Sequence, residues 1–228
     1  MTAFEVDIRR QASMVKKVSR MSWLAASVYD RFMRGSEQAC LARWRAELLQ
    51  DVAGEVLEIG AGTGANLPHY PKAVTRLVLA EPDRHMRRKL QAKCASVGLP
   101  NAEICDASLG ALPIASESFD VTVASLVLCS VPDLDAALAD IFRVLRPGGC
   151  LVFLEHVAAE GKPARLKWQR RIEPLWKRLA KNCHLTRRTE QAISNAGFGI
   201  EWIQRESMRK ANPLVRASIR GHARKPLV

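Results

Sequence analysis

The run Val56-Leu57-Glu58-Ile59-Gly60-Ala61-Gly62-Thr63-Gly64 reads as a buried strand that enters a glycine-rich turn and then a helix. Glycines in such a turn reach positive φ, and without a Cβ they let a ligand approach the main-chain amides. Gly60, Gly62 and Ala65 also satisfy the dinucleotide pattern G-x-G-x-x-G/A, so the turn alone leaves its ligand open. Three features narrow it. Glu58 stands two residues before the first glycine, and the glycines continue at alternate positions to Gly64. About 70 residues follow the fifth candidate strand, too few for the separate catalytic domain of most dehydrogenases. Glu81 ends the second candidate strand, 17 residues past Gly64, where a carboxylate can accept from both hydroxyls of a ribose. Its rival role is a surface acid at a strand end. Beyond Pro82, Asp83 is placed to cap a helix, and Met86 one turn on serves either an adenine face or the core. At the end of the third strand Asp106 can accept from an adenine amino group while the Ala107 amide donates to a ring nitrogen; an exposed loop acid is the alternative.

These residues need a scaffold that brings several strand ends together. From Glu55 onward short apolar runs alternate with longer amphipathic ones, the pattern of βαβ units on a parallel sheet. Strands are expected at Glu55–Ile59, Arg76–Ala80, Ala102–Cys105, Phe119–Ser125 and Cys150–Glu155, and further ones at about 198–205 and 214–223. Helices are expected at about 63–69, 83–97 and 134–146, the last stopped by Arg146-Pro147-Gly148-Gly149. Residues 7–50 read as helices, with Leu41, Trp44, Leu48 and Leu49 on one stripe. Lys162 to Asn182 reads as an amphipathic helix pair broken before Pro174, inserted over the carboxyl edge of the sheet, with Trp168 and Trp176 packing it down. The organisation expected is N-terminal helices (1–50) closing over the ligand, a ligand-binding core (51–160), a helical substrate cap (161–186) and a C-terminal helix and strands completing the sheet (187–228).

The chain has 228 residues, 48% of them apolar and 25% charged, which fits a folded globular protein. Its six cysteines form no C-x-x-C and no close Cys/His spacing, so no zinc template and no disulfide framework is read; a reducing, cytoplasmic setting is expected. The first 25 residues carry seven charges and leave no signal-peptide core, and no run approaches 18 apolar residues. The net charge of +12 is uneven: +4 over 1–50, −5 over 51–160 and +13 over 161–228. An acidic middle between basic ends suggests a catalytic core with a basic docking surface, and peripheral contact with an anionic membrane is one expected use; a solvated basic face is the other.

The run EIGAGTG, the acid at Glu81, Asp106, FDVTVASLVLCSV and RVLRPGGCLVFLEH together resemble the class I S-adenosylmethionine-dependent methyltransferases over about residues 50–160. The resemblance implies an α/β fold, a doubly wound, mostly parallel, Rossmann-like seven-stranded sheet whose last strand is antiparallel. It implies S-adenosylmethionine as cofactor, lying across the first, second and fourth strand ends. Gly60, Ala61, Gly62 and Gly64 would face its methionine and ribose, with Glu58 and Asn66 beside them. Glu81 would hold the ribose, with Pro82 and Met86 also on the cofactor, Asp106 and Ala107 the adenine, and Leu126 the far side. Tyr29-Asp30-Arg31-Phe32-Met33 resembles the segment that closes over the cofactor in quinone-ring methyltransferases.

Longer stretches, GANLPHYP, LVLCSV, LEHVAAE and Cys183-His184-Leu185-Thr186-Arg187, are similar to the methyltransferase-like thiol S-methyltransferases, which methylate hydrogen sulfide and small lipophilic thiols. Those relatives begin with a long apolar anchor, whereas this chain begins with charged, amphipathic sequence. The acceptor expected is a small thiol; a lipid-like acceptor, phosphatidylethanolamine nitrogen or a quinone ring, is the alternative. A base-methylation motif N/D-P-P-Y/F is absent after the fourth strand, so no nucleic acid is expected. A sensor that binds S-adenosylmethionine without catalysis is the non-enzymatic alternative. His156, just past the fifth strand, is the candidate for acid–base work, and His184 is the second. Cys129 reads as a buried small hydrophobe.

Overall fold

The structure is a computed structural model that describes residues 30–99, 102–110 and 112–227. Among them, seven strands form one sheet in the order β3-β2-β1-β4-β5-β7-β6. They are β1 (Gly54–Ile59), β2 (Val74–Ala80), β3 (Glu103–Cys105), β4 (Phe119–Ser125), β5 (Leu145–His156), β6 (Gly199–Ser207) and β7 (Ala217–Arg224). The pairs from β3 through β5 are parallel, and β7 lies antiparallel between β5 and β6. This is the doubly wound, mostly parallel sheet implied by the resemblance. Its central strands read as nearly unbroken apolar runs because both faces are covered.

One face carries α1 (Ala42–Leu49), whose Leu41-Trp44-Leu48-Leu49 stripe is buried as the sequence predicts and packs with Val56, Leu79, Val121 and Val152. The other face carries α3 (Leu134–Val144) and α5 (Thr189–Asn195) over Leu57, Val78, Phe119 and Phe153. Between β2 and β3 runs α2 (Arg84–Ser96), started where Asp83 accepts from the amides of His85 and Met86.

Three local expectations are corrected. Residues 63–69 form no α-helix, only turns and a 3-10 segment at Leu67–His69, because Gly64 at φ +81° and Pro68 interrupt the ladder. The Arg146-Pro147-Gly148-Gly149 run opens β5 rather than closing a helix: α3 stops at Val144, and Leu145 pairs with Phe119. Residues 162–182 hold one continuous helix, α4 (Pro163–Leu179), with Pro174 inside it. Only Gln169 of α4 is fully buried; Trp168, Leu175 and Leu179 are 57%, 58% and 69% exposed, so Trp168 does not pack the helix onto the sheet. Gln169 ties α4 to the chain leaving β5, accepting from the Ala159 amide and donating to the carbonyls of Val157 and Leu214.

The helix leading into α1 contains a π-helical segment at Glu37–Leu41. Below it, the buried Arg45 guanidinium holds Glu37 and donates to Asn66 Oδ1 at 2.7 Å. Asn66 donates to Glu58 Oε1 at 2.9 Å, and the Tyr70 hydroxyl donates to Glu58 Oε2 at 2.8 Å. This chain of polar contacts fastens the N-terminal helix to the end of β1. Desolvation outweighs the hydrogen bonds and Arg45, and lifts the Glu58 carboxyl from 4.5 to about 7. The folded state therefore holds this proton more tightly than the unfolded chain does, so the group favours folding least once pH has risen through about 7. Stability by urea unfolding is expected to fall from pH 5 to pH 8 less steeply in Glu58→Gln than in the wild type, by roughly 1–3 kcal/mol.

Candidate functional site

The strand register brings the first set of residues together. Ile59 pairs with Ala80, Ala80 with Cys105, and Ile59 with Ala124, so the chain leaves β1, β2, β3 and β4 along one carboxyl edge. Gly60, Glu81, Asp106 and Leu126 follow directly at that edge. Gly60 has φ +62°, and a Cβ there would meet Val127 Cγ2 at 2.5 Å, so the turn passes tightly against the loop after β4. Gly62 has φ +57°, and the nearest atom to a Cβ there is Gly60 O at 3.9 Å, which leaves open space on that side. Gly64 has φ +81°, and a Cβ there would meet the core, at 2.6 Å from Leu67 Cδ1 and 2.9 Å from Leu90 Cδ1. Ala61 is buried.

Glu81 is buried and accepts from the Gly62 amide at 2.9 Å and from the Asp83 amide at 2.8 Å. Burial raises its pKa, and those two amides work against that rise. Its carboxylate thus spans the open side of the glycine turn and the start of α2. Pro82 is exposed, while Met86 and Ala107 are buried. The Asp106 side chain is 68% exposed and pairs with Arg87 at 2.8 Å. Leu126, at φ +56°, donates its amide to Leu154 O at 2.7 Å. Glu58 and Asn66 lie beneath the turn, where the Arg45–Asn66–Glu58–Tyr70 contacts occupy them; they position it rather than face its open side. Above the turn Thr63 donates to Asp30 at 2.6 Å, so the N-terminal helix does reach it. Tyr29 lies outside the described residues. Open main chain at Gly62, a diol-sized carboxylate at Glu81 and an exposed acid at Asp106 fit the nucleoside of S-adenosylmethionine in shape and polarity.

A second group of residues sits one strand further along. Glu155, fully buried at the end of β5, accepts the amides of Val127, Leu128 and Cys129 at 2.8–3.1 Å. Desolvation lifts its pKa to about 7 against those three amides. Arg187 donates to the carbonyls of Leu128 and Val131, so acid and base together fix the loop after β4. That loop presents Cys129, and β5 presents His156, whose Nε2 lies 2.8 Å from Cys183 Sγ. The donor atoms of Cys129, His156 and Cys183 all lie within 4.8 Å of one another, and all three residues are buried. In this close pair of thiols Cys183, with Cys129 and His156 beside it, is pushed well below its usual range, and Cys129 is pushed up by Cys183 and by burial. His156 Nδ1 is buried without a hydrogen-bond partner among the described residues.

His184 is drawn in differently. Its amide donates to Cys129 O at 2.8 Å, but its ring pairs with Glu173 of α4 at 3.3 Å. Of the two histidines, His156 alone joins the cluster. Cys129, read as a small hydrophobe, and Cys183 are the functional candidates that spacing missed: each stands 27 residues from His156, and no local pattern connects them. Arg45, Glu155 and Arg187 are not singled out by sequence either: Arg45 reads as one more helix charge, and Glu155 and Arg187 stand only at a strand end or inside the stretches quoted for the resemblance.

The chain matches the family model described as a methyltransferase domain over residues 57–153. It is 36% identical to the human thiol S-methyltransferase TMT1A over 182 residues, covering 77% of this chain and 74% of that protein. It is 31% identical to phosphatidylethanolamine N-methyltransferase of Cereibacter sphaeroides, over 64% of this chain and 71% of the relative. A Bacillus halodurans crystal structure titled as a methyltransferase superposes with a TM-score of 0.66 at 17% identity, over 80% of this chain and 98% of that one. No described helix is long and apolar enough to cross a membrane. With the seven-stranded sheet, the open glycine turn and these matches in agreement, the chain belongs to the class I S-adenosylmethionine-dependent methyltransferases, in the family of the thiol S-methyltransferases.

Proposed function

We propose that this enzyme transfers the methyl group of S-adenosylmethionine to the sulfur of hydrogen sulfide or a small lipophilic thiol. The reading is carried by the buried Cys129–His156–Cys183 group beside the donor edge, a polarisable centre suited to a sulfur acceptor. The name of the human relative supports it. On the donor side, Gly62 leaves its main chain open to the nucleoside, and Glu81 exchanges the Gly62 amide for the two ribose hydroxyls. Asp106 exchanges part of its contact with Arg87 for the adenine amino group. S-adenosylmethionine supplies an electrophilic methyl on a sulfonium. The protein's task is alignment and a deprotonated acceptor, and alignment alone can be worth ~7–11 kcal/mol. The loop 127–131, fixed by Glu155 and Arg187, sets the line between donor and acceptor.

The alternative is a lipid acceptor, phosphatidylethanolamine nitrogen or a quinone ring, favoured by the Cereibacter relative and by the outer face of α4. There Trp168, Leu175 and Leu179 stand exposed among Lys167, Arg171 and Arg178, the make-up of a helix that lies in an anionic membrane surface. That face would serve lipophilic thiols equally, by holding the enzyme where they partition.

Calorimetry is expected to show that Glu81→Ala weakens S-adenosylmethionine binding by ~1–3 kcal/mol. Gly62→Leu abolishes it, because the new side chain fills the open side of the turn; unchanged affinity in both would refute the donor assignment. With isotopically labelled donor, label is expected in methyl thioethers from sulfide and alkyl thiols, and label found in phosphatidylethanolamine or a quinone alone would overturn the acceptor. Co-sedimentation with phosphatidylglycerol vesicles is expected at low salt and is expected to be lost in Trp168→Ala/Leu175→Ala/Leu179→Ala; equal binding to neutral vesicles would contradict the charged-surface reading.

A further inference from the structure

We infer that Cys129, His156 and Cys183 form a zinc site with one open position, and that this position receives the sulfur of the methyl acceptor. The inference deepens the thiol reading above and rests on it for the acceptor, though not for the metal. Two cysteine sulfurs and an imidazole nitrogen, buried and within 4.8 Å of one another, are the donor set of a tetrahedral zinc centre with three protein ligands. Zn–S and Zn–N lengths of about 2.3 and 2.0 Å place donors about 3.5–3.8 Å apart. The 2.8 Å contact between His156 Nε2 and Cys183 Sγ therefore has to open by less than about 1 Å to admit the ion.

The three ligands are held in place before any ion arrives. The Cys129 amide is fixed by Glu155 and its carbonyl by the His184 amide at 2.8 Å. Cys183 follows Lys181 and Asn182, both at positive φ, and the Asn182 side chain donates to Ser130 O at 3.0 Å, clamping the two cysteine loops together. His156 ends β5, paired with Ser218. Such outer contacts orient ligands in metal sites. Two thiolates also balance a divalent ion, so the metal-loaded site buries no net charge while its fourth position is open.

Among the described residues no fourth side chain joins the three donors, and the neighbouring strand end is the donor edge. A thiol that takes that position gives its proton to water. Its sulfur lone pair then forms the new C–S bond while the donor's S–CH3 bond breaks, giving methyl thioether, S-adenosylhomocysteine and a proton. Coordination keeps the acceptor anionic at neutral pH without a strong base.

The test uses the full chain, stripped with a chelator and titrated with Co(II), then with Zn(II) in competition. One equivalent of cobalt is expected to bind with a thiolate-to-cobalt charge-transfer band and tetrahedral d–d bands. Zinc is expected to displace it, and Cys129→Ser, Cys183→Ser and His156→Gln are each expected to bind at least tenfold more weakly, while Cys94→Ala is unchanged. Addition of an alkyl thiol is expected to shift the cobalt bands as the open position fills. Absence of a thiolate–cobalt band in the wild-type chain overturns the inference, as does a Cys129–Cys183 disulfide in place of metal. Full thiol methylation by the stripped enzyme would overturn the metal's part in receiving the acceptor and leave thiol methylation standing. A wild-type cobalt site with no methylated thiol would instead remove the acceptor while the metal stands.

Discussion

Where parallel strands end, their amides lose the neighbours that satisfied them, and in this enzyme carboxylates take over. Glu81 receives the amides of Gly62 and Asp83, and Glu155 receives three consecutive amides of the loop after β4. A buried carboxylate without donors would be costly, and so would buried amides without acceptors. Joined, they turn a ragged sheet edge into fixed loops. The remaining features of the site depend on those loops having one conformation.

The glycine turn and the loop after β4 are mechanically linked through this edge. Gly60 lies so close to Val127 that a methyl group there would clash at 2.5 Å, so the glycine turn and the loop carrying Cys129 set each other's position. Beneath the turn, Arg45, Asn66, Glu58 and Tyr70 anchor it to the N-terminal helix. On the far side, Arg187 and Asn182 anchor the same β4 loop to the segment that follows α4. Gln169 and the Glu173–His184 pair attach α4 itself. Both flanking helices thus bear on these two turns.

The strands of the core were legible because a sheet covered on both faces must be apolar without interruption, and Glu55–Ile59 or Phe119–Ser125 could be little else. The glycine turn and Glu81 were legible because their geometry is demanded locally. Within that turn, however, sequence could not separate Gly62, which faces open space, from Gly60 and Gly64, which relieve packing against Val127, Leu67 and Leu90. Nor could it assign Glu58 to the underside. The Lys162–Asn182 region misled because proline usually breaks a helix, yet α4 absorbs Pro174 on its exposed side. The cysteine–histidine cluster was out of reach for a different reason: its members come from three separate loops and strand ends, united by the pairing of β4 with β5 and by the contacts of Asn182 and His184 with the β4 loop.

The most direct measurement is a crystal structure with S-adenosylhomocysteine bound. The expected result is a ribose whose two hydroxyls rest on Glu81, with the Gly62 amide released from that carboxylate and the nucleoside over the open face of the turn. A nucleoside bound elsewhere, with the Glu81–Gly62 contact intact at 2.9 Å, would contradict it.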